Sequence, residues 1–276
     1  MSTARAVNTV RQFGVHVLQI YWERRSYRTA IALGTVTSLI SFVQFLLMGK
    51  FLQDGNTFAG IQGYGGNIIS FLMSGSVFTG FVAVSLGAFS NHLQMEQRTG
   101  TLESVVMMPV PLTRVMLYSG VVGLLGTSLG SVVMFGVFGA IFDIPISVNL
   151  FATIAVLALL VVTLGSFGLA GCGVLLITKR GDPVRWGITT LTTLLSGVMY
   201  PISILPGWLQ SVAWALPTTQ ALDGIRKSLL VDADLAQVAP SLLHMAIWSA
   251  VMLPIGLITF RTGMSRARKA GSIGEY

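Results

Sequence analysis

The sequence predicts an all-α polytopic membrane protein with six transmembrane helices. Of its 276 residues, 53% are hydrophobic and only 10% are charged, whereas an average soluble domain is about 25% charged. Several apolar runs reach the roughly 20 residues that are needed to cross a hydrocarbon layer about 30 Å thick. The six predicted spans are residues 29–48, 67–89, 115–142, 150–178, 187–205 and 242–260.

Basic residues predict the orientation of these spans, because lysine and arginine stay mainly in cytoplasmic loops. Of the 17 lysines and arginines, 14 lie before the first span, in the second and fourth loops, or after the last span. Both termini are therefore predicted to be cytoplasmic, in a multi-pass protein of the cytoplasmic membrane. Contacts with anionic headgroups of the membrane lipids account for the net charge of +7, so nucleic-acid binding is not predicted.

The segment before the first span predicts an amphipathic helix that lies on the cytoplasmic leaflet. Apolar residues recur at helical spacing between residues 7 and 21, while polar and basic residues fall largely on other faces. A disordered basic tail is the alternative. The predicted domains are this interface helix at residues 1–28 and a single six-span transmembrane domain at residues 29–276.

A compact polar insert, EQRTGTLESVVMMPVPLTR, separates the second and third spans. Gly100 is a possible helix start, and Glu103 can interact with the free N–H groups of the first turn. Pro109 and Pro111 end the helix. The insert therefore predicts a short helix across the cytoplasmic ends of two spans, which is either a docking surface for another protein or an interfacial helix without a partner.

The stretch after the fifth span, residues 198–230, predicts a pair of short helices that dip into the outer leaflet. Three prolines interrupt it and prevent one continuous helix. Trp208 and Trp214 suit the headgroup zone. Re-entrant helices between the fifth and sixth spans fit these features better than a free loop.

The fifth span is rich in hydroxyl groups and contains no charged residue. Five side chains carry them: Thr189, Thr190, Thr192, Thr193 and Ser196. Such hydroxyls either satisfy the backbone or a neighbouring helix, or line a pathway for amphipathic, uncharged molecules. The sequence leaves both interpretations open.

Several classes of protein find no support in the sequence. No phosphate-binding glycine loop is present, so the chain is not predicted to be an enzyme that hydrolyses ATP by itself. The three histidines are scattered and the single cysteine is isolated, so no metal site is predicted. No span has a charged residue near its centre, which argues against a carrier driven by protons or sodium ions.

Two segments resemble type-2 ABC transporter permeases. The insert matches that family's E-x-x-x-G-T-L-E segment between the second and third spans. SGVMYPISILPGWLQSVAWALPTTQALDGIR is similar to the family's segment after the fifth span, with an aromatic-Pro pair, a Leu-Pro pair, a later proline and a final arginine. With six predicted spans and an N-terminal amphipathic helix, the resemblance covers nearly the whole chain, and the drug and lipooligosaccharide export branch is the closer one.

The resemblance implies partners and site residues. It implies a homodimer that works with two copies of a separate ABC ATPase, which binds the ATP and magnesium; no cofactor is expected in this chain. The implied ATPase-coupling residues are Glu96, Arg98, Gly100, Thr101, Leu102 and Glu103. The implied external gate contains Tyr200, Pro201, Pro206, Pro217 and Arg226. Candidate pathway-lining residues on the second and fifth spans are Ser74, Phe78, Thr189, Thr193 and Ser196.

The expected function is that of a permease subunit of an ATP-driven ABC exporter, moving an amphipathic drug-like or lipid-linked molecule outward. A chain without a phosphate loop or a charged residue inside a span has no visible energy source of its own, and a docking helix could supply one. A passive channel or membrane anchor and an ion-coupled secondary carrier are the alternatives.

Overall fold

The computed structural model describes residues 28–53, 59–99, 118–130, 133, 147–178 and 182–269. Within these ranges the chain is helical and contains no β-strand, which confirms the predicted all-helical class. Two predictions lie wholly or largely outside the described residues: the N-terminal interface helix and the helix of the polar insert.

Eight helices, α1 to α8, and two short 3-10 helices form the described structure. The α-helices are α1 Arg28–Gln53, α2 Ile68–Thr99, α3 at residues 118–130, α4 Leu150–Thr178, α5 Pro183–Leu195, α6 Gly207–Ala215, α7 Pro217–Leu230 and α8 Leu235–Lys269. The 3-10 helices are Ala59–Tyr64 and Ile202–Ile204.

Three helices among the described residues are long and apolar enough to cross a membrane, at Ile68–Asn91, Leu150–Thr178 and Leu235–Ala267. They coincide with the predicted second, fourth and sixth spans, so the protein is membrane-embedded. Helix α1 has 26 residues, which corresponds to about 39 Å at 1.5 Å per residue. The total of six spans stays a prediction.

The predicted bounds of the fifth span are wrong. Helix α5 has 13 residues, or about 20 Å of helix. It begins earlier than predicted because Asp182 caps it, accepting a hydrogen bond from the backbone N–H of Arg185, with a proline in the first turn. It ends early because Gly197 has a positive φ of 74°. In addition, Pro201 disfavours a helical conformation of the residue before it.

Contacts between the helices define their relative directions. Gly120 lies against Ala88 and Gly80 near Thr127, so α3 runs antiparallel to α2. Helix α4 runs parallel to α2, because both begin beside the same part of α7. Asn149 N–H bonds the Ser228 carbonyl at 2.9 Å, and Arg226 is bonded to Phe71 and Ser74 in the first turns of α2. Helix α8 lies parallel to α4, because Thr163 contacts Ser249 and, further along both helices, Gly173 lies against Thr259.

The main hydrophobic core lies between α2, α4, α7 and α8. Its fully buried side chains include Phe78, Leu86, Leu160, Leu222 and Met245. The opposite face of α8 exposes an uninterrupted apolar surface, formed by Leu243, Ile247, Val251, Ile255 and Ile258. That surface matches a hydrocarbon environment, where lipid chains solvate apolar side chains as well as protein does.

Gly173 allows α4 and α8 to approach, and a methyl group there should weaken the fold. A Cβ at this position would lie 2.5 Å from the Thr259 carbonyl carbon and 2.6 Å from the Phe260 nitrogen. We expect Gly173→Ala to cost about 1–3 kcal/mol through overpacking, despite the better helix propensity of alanine. Thermal unfolding in detergent, followed by labelling of the buried Cys172 with a thiol-reactive dye, measures the effect.

Gly187→Ala is the matched control, because a Cβ on Gly187 meets nothing within 4 Å. It makes the same exchange on helix α5 without a clash. Equal melting temperatures for the two variants would contradict the packing of α4 against α8.

Candidate transport and coupling site

Arg226 is a buried cation on α7 whose donors reach two other segments of the chain. It is only 3% exposed. Nη1 donates to the Gly197 carbonyl at 2.9 Å, and Nη2 donates to the carbonyls of Phe71 at 3.1 Å and Val198 at 3.2 Å. Nε donates to Ser74 Oγ at 3.3 Å, and Cζ lies 3.5 Å from the centroid of the Phe71 ring. The guanidinium therefore joins α7, the start of α2 and the turn after α5.

Asp223 lies one helical turn before Arg226 and is 5% exposed. Its Oδ1 accepts a hydrogen bond from the Tyr64 hydroxyl at 2.7 Å. Its Oδ2 accepts one from Ser241 at 3.3 Å and pairs with Lys227 Nζ at 2.8 Å. The carboxylate thus adds the first 3-10 helix and α8 to the segments held by Arg226. Together these residues form the Arg226 cluster: Tyr64, Phe71, Ser74, Asp223 and Arg226.

Burial changes the acid–base properties of the cluster. Burial lowers the pKa of Arg226 to about 9, opposed by Tyr64 and Asp223, so the guanidinium is still charged at pH 7. Burial raises the pKa of Tyr64, and the charge of Asp223 raises it further. The Tyr64 hydroxyl therefore keeps its proton and donates a hydrogen bond to Asp223. Hydrogen bonds to charged groups of this kind are roughly twice as strong as those between neutral groups.

The gate residues predicted from the sequence lie at the same end of the helices as Arg226. The Tyr200 hydroxyl donates to the Leu194 carbonyl, which folds the turn back onto α5. Pro201 and Pro206 precede the second 3-10 helix and α6, and Pro217 is the first residue of α7. Each proline therefore stands at a helix start, where its missing N–H costs least.

The two helices of the predicted re-entrant pair differ in burial. Most of α7 is buried, including Pro217 and Arg226. In α6 only Ala213 is buried, while Trp208 is 72% exposed. Helix α7 is thus part of the protein interior, and α6 lies on its surface.

The five candidate pathway residues do not share one surface. Ser74 and Phe78 are fully buried in the protomer, and Ser196 is 1% exposed with its hydroxyl 2.8 Å from that of Thr218. Thr189 and Thr193 are exposed on one face of α5, and the Thr193 hydroxyl donates to the Thr189 carbonyl at 2.9 Å. Of the five residues, only Thr189 and Thr193 are exposed on the surface of the protomer, where another molecule can contact them.

The predicted coupling residues lie at and beyond the end of α2. Glu96 and Arg98 belong to the last turns of this helix, which ends at Thr99. The other four, Gly100, Thr101, Leu102 and Glu103, lie outside the described residues. Within the described part of the chain no group of three or more metal-ligating side chains occurs.

Of the Arg226 cluster, the sequence identified Arg226 and Ser74 but not Tyr64, Phe71 and Asp223. Asp223 had a local signal, since an acid four residues before Lys227 forms a helical ion pair. Tyr64 had none, because it lies 159 residues from its partner Asp223. Pairing at such a distance depends on how the helices pack.

The family model for ABC-2 type transporters matches residues 16–230. The chain therefore belongs to the ABC-2 type transporter family, and the resemblance to type-2 ABC permeases is confirmed. The match extends from before α1 to the last residue of α7, so it includes all of the Arg226 cluster. None of the curated proteins compared with the chain matches it.

Family membership defines the class of protein. The chain is an ABC transporter permease subunit, a transmembrane transport domain that is not itself catalytic, and the family implies an ABC ATPase as partner. The three candidate spans agree with this membrane location.

Replacement of Arg226 should destabilise the protein even when the positive charge is kept. Arg226→Lys retains the charge but loses the planar fork that reaches three carbonyls, so buried acceptors are left without donors. Arg226→Gln also leaves Asp223 with less compensation. We expect a loss of about 3–5 kcal/mol for the glutamine variant and a smaller loss for the lysine variant, measured by thermal unfolding.

Lys227→Gln is the control, because Lys227 pairs with the same carboxylate but its side chain is 39% exposed. An exposed ion pair contributes at most about 1 kcal/mol. A melting temperature of Arg226→Gln as high as that of Lys227→Gln would show that the cluster is not a stabilising centre.

Proposed function

We propose that this chain is the permease subunit of an ATP-driven exporter that moves an amphipathic drug-like or lipid-linked molecule outward. Two copies form a homodimer and bind two copies of a separate ATPase, which holds ATP and magnesium. The homodimer lies in the cytoplasmic membrane with both termini on the cytoplasmic side. Each chain contributes an N-terminal interface helix, residues 1–28, and one six-span domain, residues 29–276.

The observation that carries this proposal is the continuity of α2. This helix runs without a break for 32 residues, or about 48 Å. Its first turns contribute Phe71 and Ser74 to the Arg226 cluster, and its last turns contain Glu96 and Arg98. One rigid element therefore connects the proposed gate with the proposed ATPase contact.

The mechanism follows from that connection. Closure of the ATPase dimer around ATP displaces the coupling helix after Thr99 and tilts α2 together with the third span. Because α2 is bound to Arg226, the tilt is transmitted to the gate end of the protomer. The two protomers separate beneath the gate, and the cargo leaves on the outer side.

The division of labour in the gate follows from burial. Helix α7 is buried and tied to α2 through Arg226, so it moves with the helix bundle. Helix α6 has little contact with the interior, and its exposed Trp208 suits a position in the outer headgroup zone. We assign the opening and closing surface to α6 and the preceding turn with Tyr200, Pro201 and Pro206.

The exposed face of α5 is the best candidate for contact with cargo and with the second copy. It combines the hydroxyls of Thr189 and Thr193 with Trp186 and Leu194, which are 73% and 55% exposed. The exposed face of α8 between Leu243 and Ile258, by contrast, is apolar. A mixed surface on one helix of a membrane domain favours an amphipathic molecule or a neighbouring protomer over lipid chains alone.

Copurification with an ABC ATPase from the same genome tests the energy source. We expect the ATPase to bind the permease in detergent and to be stimulated by it. Thr101→Ala combined with Glu103→Lys should lower that stimulation by about tenfold or more, because an unfavourable charge at an interface costs several kcal/mol. Glu275→Lys, the same charge reversal near the C terminus, is the control and should leave stimulation unchanged.

Unchanged binding and transport in the double variant would disprove the docking role of the insert. Conductance or leakage from liposomes that hold this chain alone would identify a channel. Transport that follows a proton or sodium gradient and ignores vanadate would identify a secondary carrier.

Cysteine cross-linking tests the dimer face. In a Cys172→Ser background, Thr189→Cys should give a disulfide-linked dimer on mild oxidation in membranes, because the α5 faces of two copies are proposed to meet. Ile258→Cys, on the apolar face of α8 and 63% exposed in the parent, should give no disulfide-linked dimer. The reverse result would move the dimer interface from α5 to α8.

A further inference from the structure

A second polar contact joins α2 to α5 at the end opposite the Arg226 cluster. Ser90 Oγ, which is fully buried, donates to Asp182 Oδ2 at 2.5 Å. Arg185 Nη1 donates to Asn91 Oδ1, also at 2.5 Å. The Asp182 junction consists of these four side chains: Ser90, Asn91, Asp182 and Arg185.

The junction contains more than the cap of a helix. Capping α5 needs only Asp182 Oδ1, which accepts the backbone N–H of Arg185 at 3.0 Å. The second carboxylate oxygen is bound to α2, and the Arg185 side chain makes an independent bond to the same helix. Helix α5 is thus fixed to α2 by two side-chain contacts beyond those that start it.

Helix α4 leaves room for the carboxylate. A Cβ on Gly171 would lie 2.6 Å from Asp182 Oδ1, so alanine cannot occupy this position without displacing the acid. Three helices therefore meet at Asp182, and the small residue is on the one that makes no hydrogen bond to it. The local packing is shaped around the carboxylate.

The position of the junction along α2 suggests its role. Beyond Asn91 the helix continues for eight residues to Thr99, about 12 Å, and then reaches the proposed coupling helix. On the other side, α5 runs from Asp182 to the turn whose Gly197 and Val198 carbonyls are bound by Arg226. The junction lies where a displacement of the end of α2 first reaches α5.

We propose that Asp182 and Arg185 are positioning residues for energy coupling, which transmit the displacement of α2 to α5 and so to the pathway face with Thr189 and Thr193. This inference rests on the proposed function as an ATP-driven permease. Without the junction, ATP hydrolysis continues while α5 no longer follows α2.

The test follows the movement of α5 directly and needs no cargo. In a Cys172→Ser background, Thr193→Cys is placed in the permease–ATPase complex in liposomes. Its labelling rate by a fluorescent maleimide is measured without nucleotide and after trapping with ATP and vanadate. We expect trapping to change the rate by about threefold or more in the parent, as a shift between two conformations does.

Two double variants differ at one side chain. Ser90→Ala with Asn91→Ala removes both bonds from α2 and leaves the Asp182 cap intact, so the labelling change should disappear while stimulated ATP hydrolysis persists. Ser90→Ala with Asn91→Asp keeps an acceptor for Arg185 and should restore most of the change. A merely structural role would not produce this recovery.

Asn91 is exposed, so Asn91→Ala alone is expected to fold, and it should reduce the labelling change.

Ser249→Ala is the matched control. It removes a buried hydroxyl contact of 2.7 Å with Thr163, between α4 and α8, away from the junction. It should keep the full labelling change. An equal response in the parent and in the Ser90→Ala, Asn91→Ala variant would overturn the junction proposal while leaving the permease function intact. Absence of ATPase binding and of any response in the parent would overturn both proposals.

Discussion

Arg226 places a positive charge inside the protein, and the surrounding structure is arranged to satisfy its donors. A buried guanidinium is stable only when it is hydrogen-bonded and compensated. Two of its acceptors, the carbonyls of Gly197 and Val198, follow the end of α5. The early end of α5, the positive φ of Gly197 and the burial of α7 are therefore parts of one arrangement around a single side chain.

Polar side-chain contacts join α2 and α5 near both ends of this helix pair. The Arg226 cluster joins one end and the Asp182 junction joins the other, while the core between them is apolar, with Phe78 and Leu86 fully buried. Apolar packing is not directional, whereas hydrogen bonds fix the register of the helices. In the proposed mechanism, these two sets of hydrogen bonds carry a displacement at one end of α2 to α5.

The sequence predicted the long helices well and the short ones less well. Length and hydropathy locate α2, α4 and α8, because an apolar run of that length has few stable environments other than a membrane. The same criterion extended the fifth span to residue 205, since it does not register backbone geometry at Gly197. The Asp182-Pro183 pair is a signal for the start of α5, but average hydrophobicity does not detect such a signal and placed the start at residue 187.

The sequence by itself determined the helical membrane class, the family segments and the identity of Arg226 as a residue of interest, because these depend on composition and local order. Only the tertiary structure decided what Arg226 and Asp182 bind. Their partners Phe71, Tyr64 and Ser90 are distant in the chain, and their contacts depend on helix packing. Packing also buried Ser74 and Phe78 and left Thr189 and Thr193 exposed, since which face of a helix is covered is set by its neighbours.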